Sequence, residues 1–116
     1  MPNDSTQQQR EHFRIDYPAA ERPELAVGAH RFVVHDLSER GMRFSFEKST
    51  YKPVVGAPLT ATIHFKDGSQ ITVGGRILRV IADKCHCVLH LDPGVPQAKM
   101  MEEHLRIVRK YHAPAS

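Results

Sequence analysis

The central part of the chain alternates apolar and polar residues. Met42-Arg43-Phe44-Ser45-Phe46 and Leu59-Thr60-Ala61-Thr62-Ile63-His64-Phe65 repeat with a period of two. That period puts one face of an extended strand on a core and the other in water. Leu25 to Val27 reads as a short opening strand, and His30-Arg31-Phe32-Val33-Val34-His35 as a β-branched and aromatic one. Gln70 to Ile81 and Cys85 to Leu91 complete six strands. The breaks have turn chemistry. Asp36 to Gly41 offers Asp, Ser and Gly; Pro53, Gly56 and Pro58 mark a loop; Asp67-Gly68 centres a hairpin turn. Asp83-Lys84 and Asp92-Pro93-Gly94 are further turns, and Gly74-Gly75 predicts a bulge or sharp bend within its strand.

The period then changes. Between 97 and 111, Met100, Met101, His104, Leu105, Val108 and Tyr111 fall at helical spacing, with no Gly or Pro. This predicts one amphipathic helix with those residues toward the barrel. Residues 1–9 are polar and read as a flexible arm. Residues 10–24, with Pro18 and Pro23, read as a loop before the first strand. The fold class is all-β: a six-stranded antiparallel β-barrel with one C-terminal α-helix, in a single domain over residues 10–112. A helix-capped sandwich is the alternative.

Composition adds little. The 116 residues are 41% hydrophobic and 25% charged, ordinary for one globular domain. A net charge of +3 favours an anionic partner only mildly. No apolar run reaches the ~20 residues that span a bilayer. The start, MPNDSTQQQR, lacks the apolar stretch of a secretory signal, so the expectation is a cytoplasmic protein without a membrane span. The two cysteines, Cys85 and Cys87, imply no disulfide framework.

Two short signals lie about 25 residues apart. Arg10-Glu11-His12-Phe13-Arg14 is R-x-x-x-R, and Asp36-Leu37-Ser38-Glu39-Arg40-Gly41 is D-x-S-x-x-G. Alone, the first is a solvated charged segment and the second an ordinary turn, with Asp bonding local backbone and Gly taking a positive φ. Their order, their spacing and the strands on either side of the second resemble the PilZ domain. The run from Val33 to Phe44 carries the resemblance most closely, and the Gly75-Arg76-Ile77-Leu78-Arg79-Val80 strand and helical tail fit it.

The resemblance implies a bacterial, non-enzymatic receptor for the second messenger cyclic di-GMP. Arg10, Arg14, Asp36, Ser38 and Gly41 are the expected ligand-binding residues. Arginine pairs bidentately with phosphate and stacks on a base. Asp36 can accept from the guanine edge, Ser38 can bond phosphate or base, and Gly41 clears space for a flat ligand. Two arginines on a flexible loop would close over the ligand, and that ordering would be the switch. Arg79 is a further candidate contact. Gln9, just before the arginine motif, leaves open whether one ligand or a stacked pair binds, with a lean to one. The partner would be an unidentified effector protein, with motility, exopolysaccharide or virulence outputs. No cofactor is expected.

Other chemistry is less well supported. Zinc needs four convergent ligands. On one strand Cys85 and Cys87 face away from His86 and His90, so they read as two small buried thiols with no metal site. Ser38, Asp36 and His35 are too close in sequence to converge as a triad. The basic residues include Arg76, Arg106, Arg109 and Lys110, but there is no nucleic-acid-binding motif. The last three suit the end of a helix, where cations complement the dipole. A ligand-free structural PilZ-like domain and an RNA-binding small barrel are the alternatives of different class.

Overall fold

The computed structural model describes residues 13–46 and 51–111. Among the described residues there are seven strands: β1 (Arg14–Asp16), β2 (Glu24–Val27), β3 (His30–Ser38), β4 (Gly41–Ser45), β5 (Pro58–His64), β6 (Gln70–Ile81) and β7 (His86–Leu91). A helix, α1 (Gln97–Tyr111), follows them. Every pairing is antiparallel. The order β3-β2-β5-β6-β7-β4 closes through a β3–β4 pairing, giving a six-stranded barrel. Closure removes the free edges that an open sheet would present.

The alternation read from sequence is the inside-outside pattern of this barrel. Leu25, Val34, Leu37, Phe44, Ile63, Leu89 and Leu91 are fully buried. The Asp-Gly hairpin turn is held by the Asp67 carboxylate, which accepts from Ser69 N at 2.9 Å and Ser69 Oγ at 2.6 Å. Gly68 takes φ +94°, a conformation other residues adopt at a cost.

Four expectations need correction. Residues 10–24 are not simply a loop. Arg14–Asp16 is an extra strand on β3, and Ala19–Glu21 is a 3₁₀ turn. Its alternation is only three residues long, with Ile15 alone turned inward, too short to show as a period. Arg14 is therefore fixed on a strand, not carried on a flexible loop.

Second, the break after β3 is smaller than Asp36 to Gly41. The strand runs through Ser38, leaving Glu39 and Arg40 as the turn. Third, Gly74 and Gly75 pair regularly with Thr60 and Leu59 of β5. The irregularity of β6 lies between Ile77 and Arg79 instead. The glycines serve close approach: a Cβ on Gly75 would run into the His90 carbonyl, and one on Gly74 would lie 3.1 Å from the Asp92 carbonyl oxygen.

Fourth, the expected face of α1 is only partly the inner one: Met100 is buried and His104 and Val108 half-buried, as read, but the rest of the set is not. The helix's buried residues are Lys99, Met100, Glu103 and Ile107, whereas Met101 and Leu105 are exposed. Charged residues occupy the inner side because each finds partners there. Lys99 Nζ donates to Asp67 Oδ2 (2.8 Å), Ser69 Oγ (2.6 Å) and Glu102 Oε1 (2.8 Å), and lies over the Phe65 ring. Glu103 accepts from Tyr17 Oη at 2.7 Å and from Arg106. Arg106 and Lys110 both reach Glu21, so their role goes beyond the helix dipole. These bonds tie α1 to the segment that follows β1.

Candidate functional site

The outer wall of the barrel carries a cavity of about 350 Å³. Arg14, Asp36, Ser38 and Gly41 all line it, with Arg43 and Arg79 and the apolar Ile81 and Val88. Four of the five residues expected from sequence thus converge. Arg10, the fifth, lies outside the described residues.

Two bulges build this wall. Phe32 and Val34 of β3 point into the core, so strict alternation would send Asp36 inward as well. The register of β3 against β4 shifts between Val34 and Asp36. An extra residue in a strand reverses the facing of everything after it. Leu37 therefore enters the core, while Asp36 and Ser38 face outward. The shift between Ile77 and Arg79 does the same on β6, turning Arg79 out and Val80 in. Asp36, Arg43, Val88 and Arg79 then stand in one cross-strand row over β3, β4, β7 and β6.

Arg14 reaches the same wall because β1 pairs with the end of β3, with Arg14 opposite Ser38. Its ion pair with Asp16 is long, 3.7 Å, and exposed, and so worth little. The Glu39-Arg40 turn is braced from behind. Leu91 N donates to the Arg40 carbonyl and Val95 N to that of Glu39, both at 2.9 Å. Ser38 Oγ is 3.4 Å from the Gly41 carbonyl oxygen. Gly41 does not take a positive φ, contrary to the turn reading. A Cβ there would come within 3.1 Å of Ser38 Oγ, so the glycine leaves room for that hydroxyl.

The electrostatics are cationic. Three arginines face one aspartate, a net charge of +2 on the lining residues. Arg43 Nε donates to Asp36 Oδ2 at 2.8 Å. Its Nη1 lies 3.0 Å from His86 Nδ1, and the His86 ring packs 4.5 Å from that of His35. Burial, then the nearby Arg22, His86 and Arg43, push the His35 pKa down to about 4. His35 is therefore neutral at pH 7 and adds no charge.

Arg43 was not named as a site residue from sequence, and His86 was weighed there only as a zinc ligand. The available signal was that Arg43 is an outward position on an alternating strand directly after the D-x-S-x-x-G motif. The cysteines differ from expectation in part. Cys87 is buried in the core, where desolvation raises its thiol to about 11. Cys85 is only half-buried and sits in a left-handed turn, φ 54°, before β7. Among the described residues, no three His, Cys, Asp or Glu side chains are grouped to hold a metal ion. No helix among them is long and apolar enough to cross a membrane.

Comparison with solved structures finds the same fold. The structure of Bacillus subtilis Inhibitor of motility (MotI/DgrA) matches with a TM-score of 0.66 at 15% identity. The match covers 92% of this chain and 53% of that one, so this chain spans about half the length of its structural relative. No curated protein sequence matches. The profile described as PilZ domain matches residues 8–106, which include both motifs and the whole barrel. On that match the chain belongs to the PilZ domain family.

Proposed function

We propose that this chain is a receptor for cyclic di-GMP that acts through a partner protein. The observation that carries the reading is the convergence of Arg14, Asp36, Ser38 and Gly41 on one cationic cavity. PilZ domains are receptor or adaptor domains, so the expected activity is binding and not catalysis.

The chemistry of the cavity suits this ligand. Cyclic di-GMP carries two phosphodiester charges, and the described lining carries a net +2. Arg14 is exposed at the rim, free to pair with phosphate or stack on a base. Arg10, four residues earlier, supplies a second such group. Asp36 accepts from the guanine N1–H and 2-amino group. Ser38 Oγ donates to phosphate or base, and Gly41 keeps its approach clear. Val88 and Ile81 offer an apolar floor for a flat base. The output is a contact with an effector protein in the bacterial cytoplasm. Motility, the process named in the structural relative's description, is one possible output beside exopolysaccharide synthesis and virulence.

Calorimetric titration with cyclic di-GMP tests this, with GMP and single-stranded RNA as controls. Selective saturable binding of cyclic di-GMP is expected. Folded protein that fails to bind it at high micromolar ligand would refute the reading, and preferential RNA binding would favour the rival.

A further inference from the structure

The proposed site reads guanine through Asp36, so whatever aims that carboxylate bears on specificity. The Asp36 side chain is only 9% exposed. Among the described residues, the hydrogen bond its carboxylate accepts comes from Arg43 Nε, to Oδ2 at 2.8 Å. Arg43 is held on a second side by His86. An arginine N–H can only donate, so in this contact His86 Nδ1 is the acceptor. The guanidinium is thus fixed between two acceptors on neighbouring strands, Asp36 on β3 and His86 on β7.

We propose that Arg43, braced by His86, is a positioning residue that sets guanine specificity by aiming the Asp36 carboxylate at the ligand's base edge. The proposal rests on the cyclic di-GMP reading of the cavity. Its physical basis is geometric. Two donors on the guanine edge need an acceptor in a fixed plane. Without Arg43, a nearly buried carboxylate would lose its counter-charge, and would swing toward solvent or take up a proton. Either response takes the acceptor away from the base. An arginine that merely touched phosphate would not act this way, because its loss would weaken every cyclic dinucleotide alike.

The test compares cyclic di-GMP with cyclic di-IMP, which has the same phosphodiester ring but lacks the 2-amino group. Wild type, Arg43→Gln, Arg43→Lys and His86→Ala are titrated with both, and each fold is checked by its NMR spectrum. Wild type should prefer cyclic di-GMP. Arg43→Gln should bind cyclic di-GMP about tenfold or more weakly, the scale of one charge-assisted hydrogen bond, and its preference over cyclic di-IMP should fall toward unity. Arg43→Lys keeps the charge but cannot span both partners, so its preference should also fall. His86→Ala leaves the charge and should reduce the preference to a lesser extent. If Arg43→Gln does not fold, these two variants decide. Equal weakening of both ligands would make Arg43 a phosphate contact and overturn the proposal. So would unchanged or tighter binding of cyclic di-GMP. Failure of wild type to bind cyclic di-GMP would instead refute the receptor reading itself.

Discussion

Replacing Arg106 by Ala should destabilise the domain severely, although the residue is far from the cavity in sequence and partly exposed. Glu103 has no exposed surface, and Glu21 has 3%. Arg106 serves both. Its Nε donates to Glu103 Oε2 at 3.0 Å and its Nη1 to Glu21 Oε1 at 2.6 Å. After truncation, Glu21 keeps Lys110 and Tyr111, but among the described residues Glu103 keeps only the Tyr17 hydroxyl. Leaving a buried charge unpaired costs roughly 3–5 kcal/mol. Arg106 is 24% exposed, so water can partly replace it, and the lower end, about 3 kcal/mol, applies. With a urea slope of about 1.5 kcal/mol/M, the unfolding midpoint should drop by about 2 M. Urea denaturation followed by circular dichroism measures this. Arg109→Ala, an exposed position on the same helix, is the control and should change stability by less than about 0.5 kcal/mol. If Arg106→Ala behaves like Arg109→Ala, the polar network is not what fastens α1 to the barrel.

Three further outcomes follow from the same geometry. Gly75→Ala should destabilise by about 2 kcal/mol or more in the same assay, because its Cβ meets the backbone of β7 and not a movable side chain; wild-type stability would mean β6 and β7 separate easily. Gly41→Ala should leave the unfolding midpoint nearly unchanged, since its nearest obstacle is the Ser38 hydroxyl, yet weaken cyclic di-GMP about tenfold by displacing that donor; unchanged calorimetric affinity would remove Ser38 from the site. Stability should also fall in acid. Hydrogen bonds from Lys110 and Arg106 hold the Glu21 carboxyl at about 2, against an ordinary 4.5, and Lys99 holds Asp67 below its usual range. A depressed carboxyl contributes stability above its unfolded value and loses it as pH falls through the folded one. The thermal midpoint should therefore decline from about pH 4.5 down to about pH 2, and a flat profile would contradict the pairing.

Much of this architecture was legible in the chain. The bounds of β6 and α1 were read as observed, because long runs average over local exceptions. What escaped had specific physical causes. β1 is too short for a period, and Ile15 is its one inward residue. The face of α1 was read correctly at Met100 but missed Lys99 and Glu103, which are buried by pairing that hydrophobicity does not register. The motif identified Asp36, Ser38 and Gly41 as a group. It did not reveal that Asp36 faces the cavity only because β3 bulges before it, nor that a matching bulge on β6 brings out Arg79. Bulges leave no period of their own, so the row Asp36–Arg43–Val88–Arg79 appears only once the strands are paired. Arg43 was legible as an outward residue, but its partner His86 comes from a strand more than forty residues later.

The central claim is that cyclic di-GMP occupies the cavity on the outer wall formed by β3, β4, β6 and β7. The most direct measurement is an NMR titration of isotopically labelled protein with cyclic di-GMP, following backbone amides residue by residue. The account predicts that the largest shifts cluster at Arg14, Asp36 to Arg43, Arg79 to Ile81 and Val88. The exposed outer residues of α1, Met101 and Leu105, should move less. A separate cavity of about 720 Å³ lies between β5 and the end of β7, lined by Arg76, His90 and Asp92; shifts centred there, or spread evenly over the surface, would contradict it.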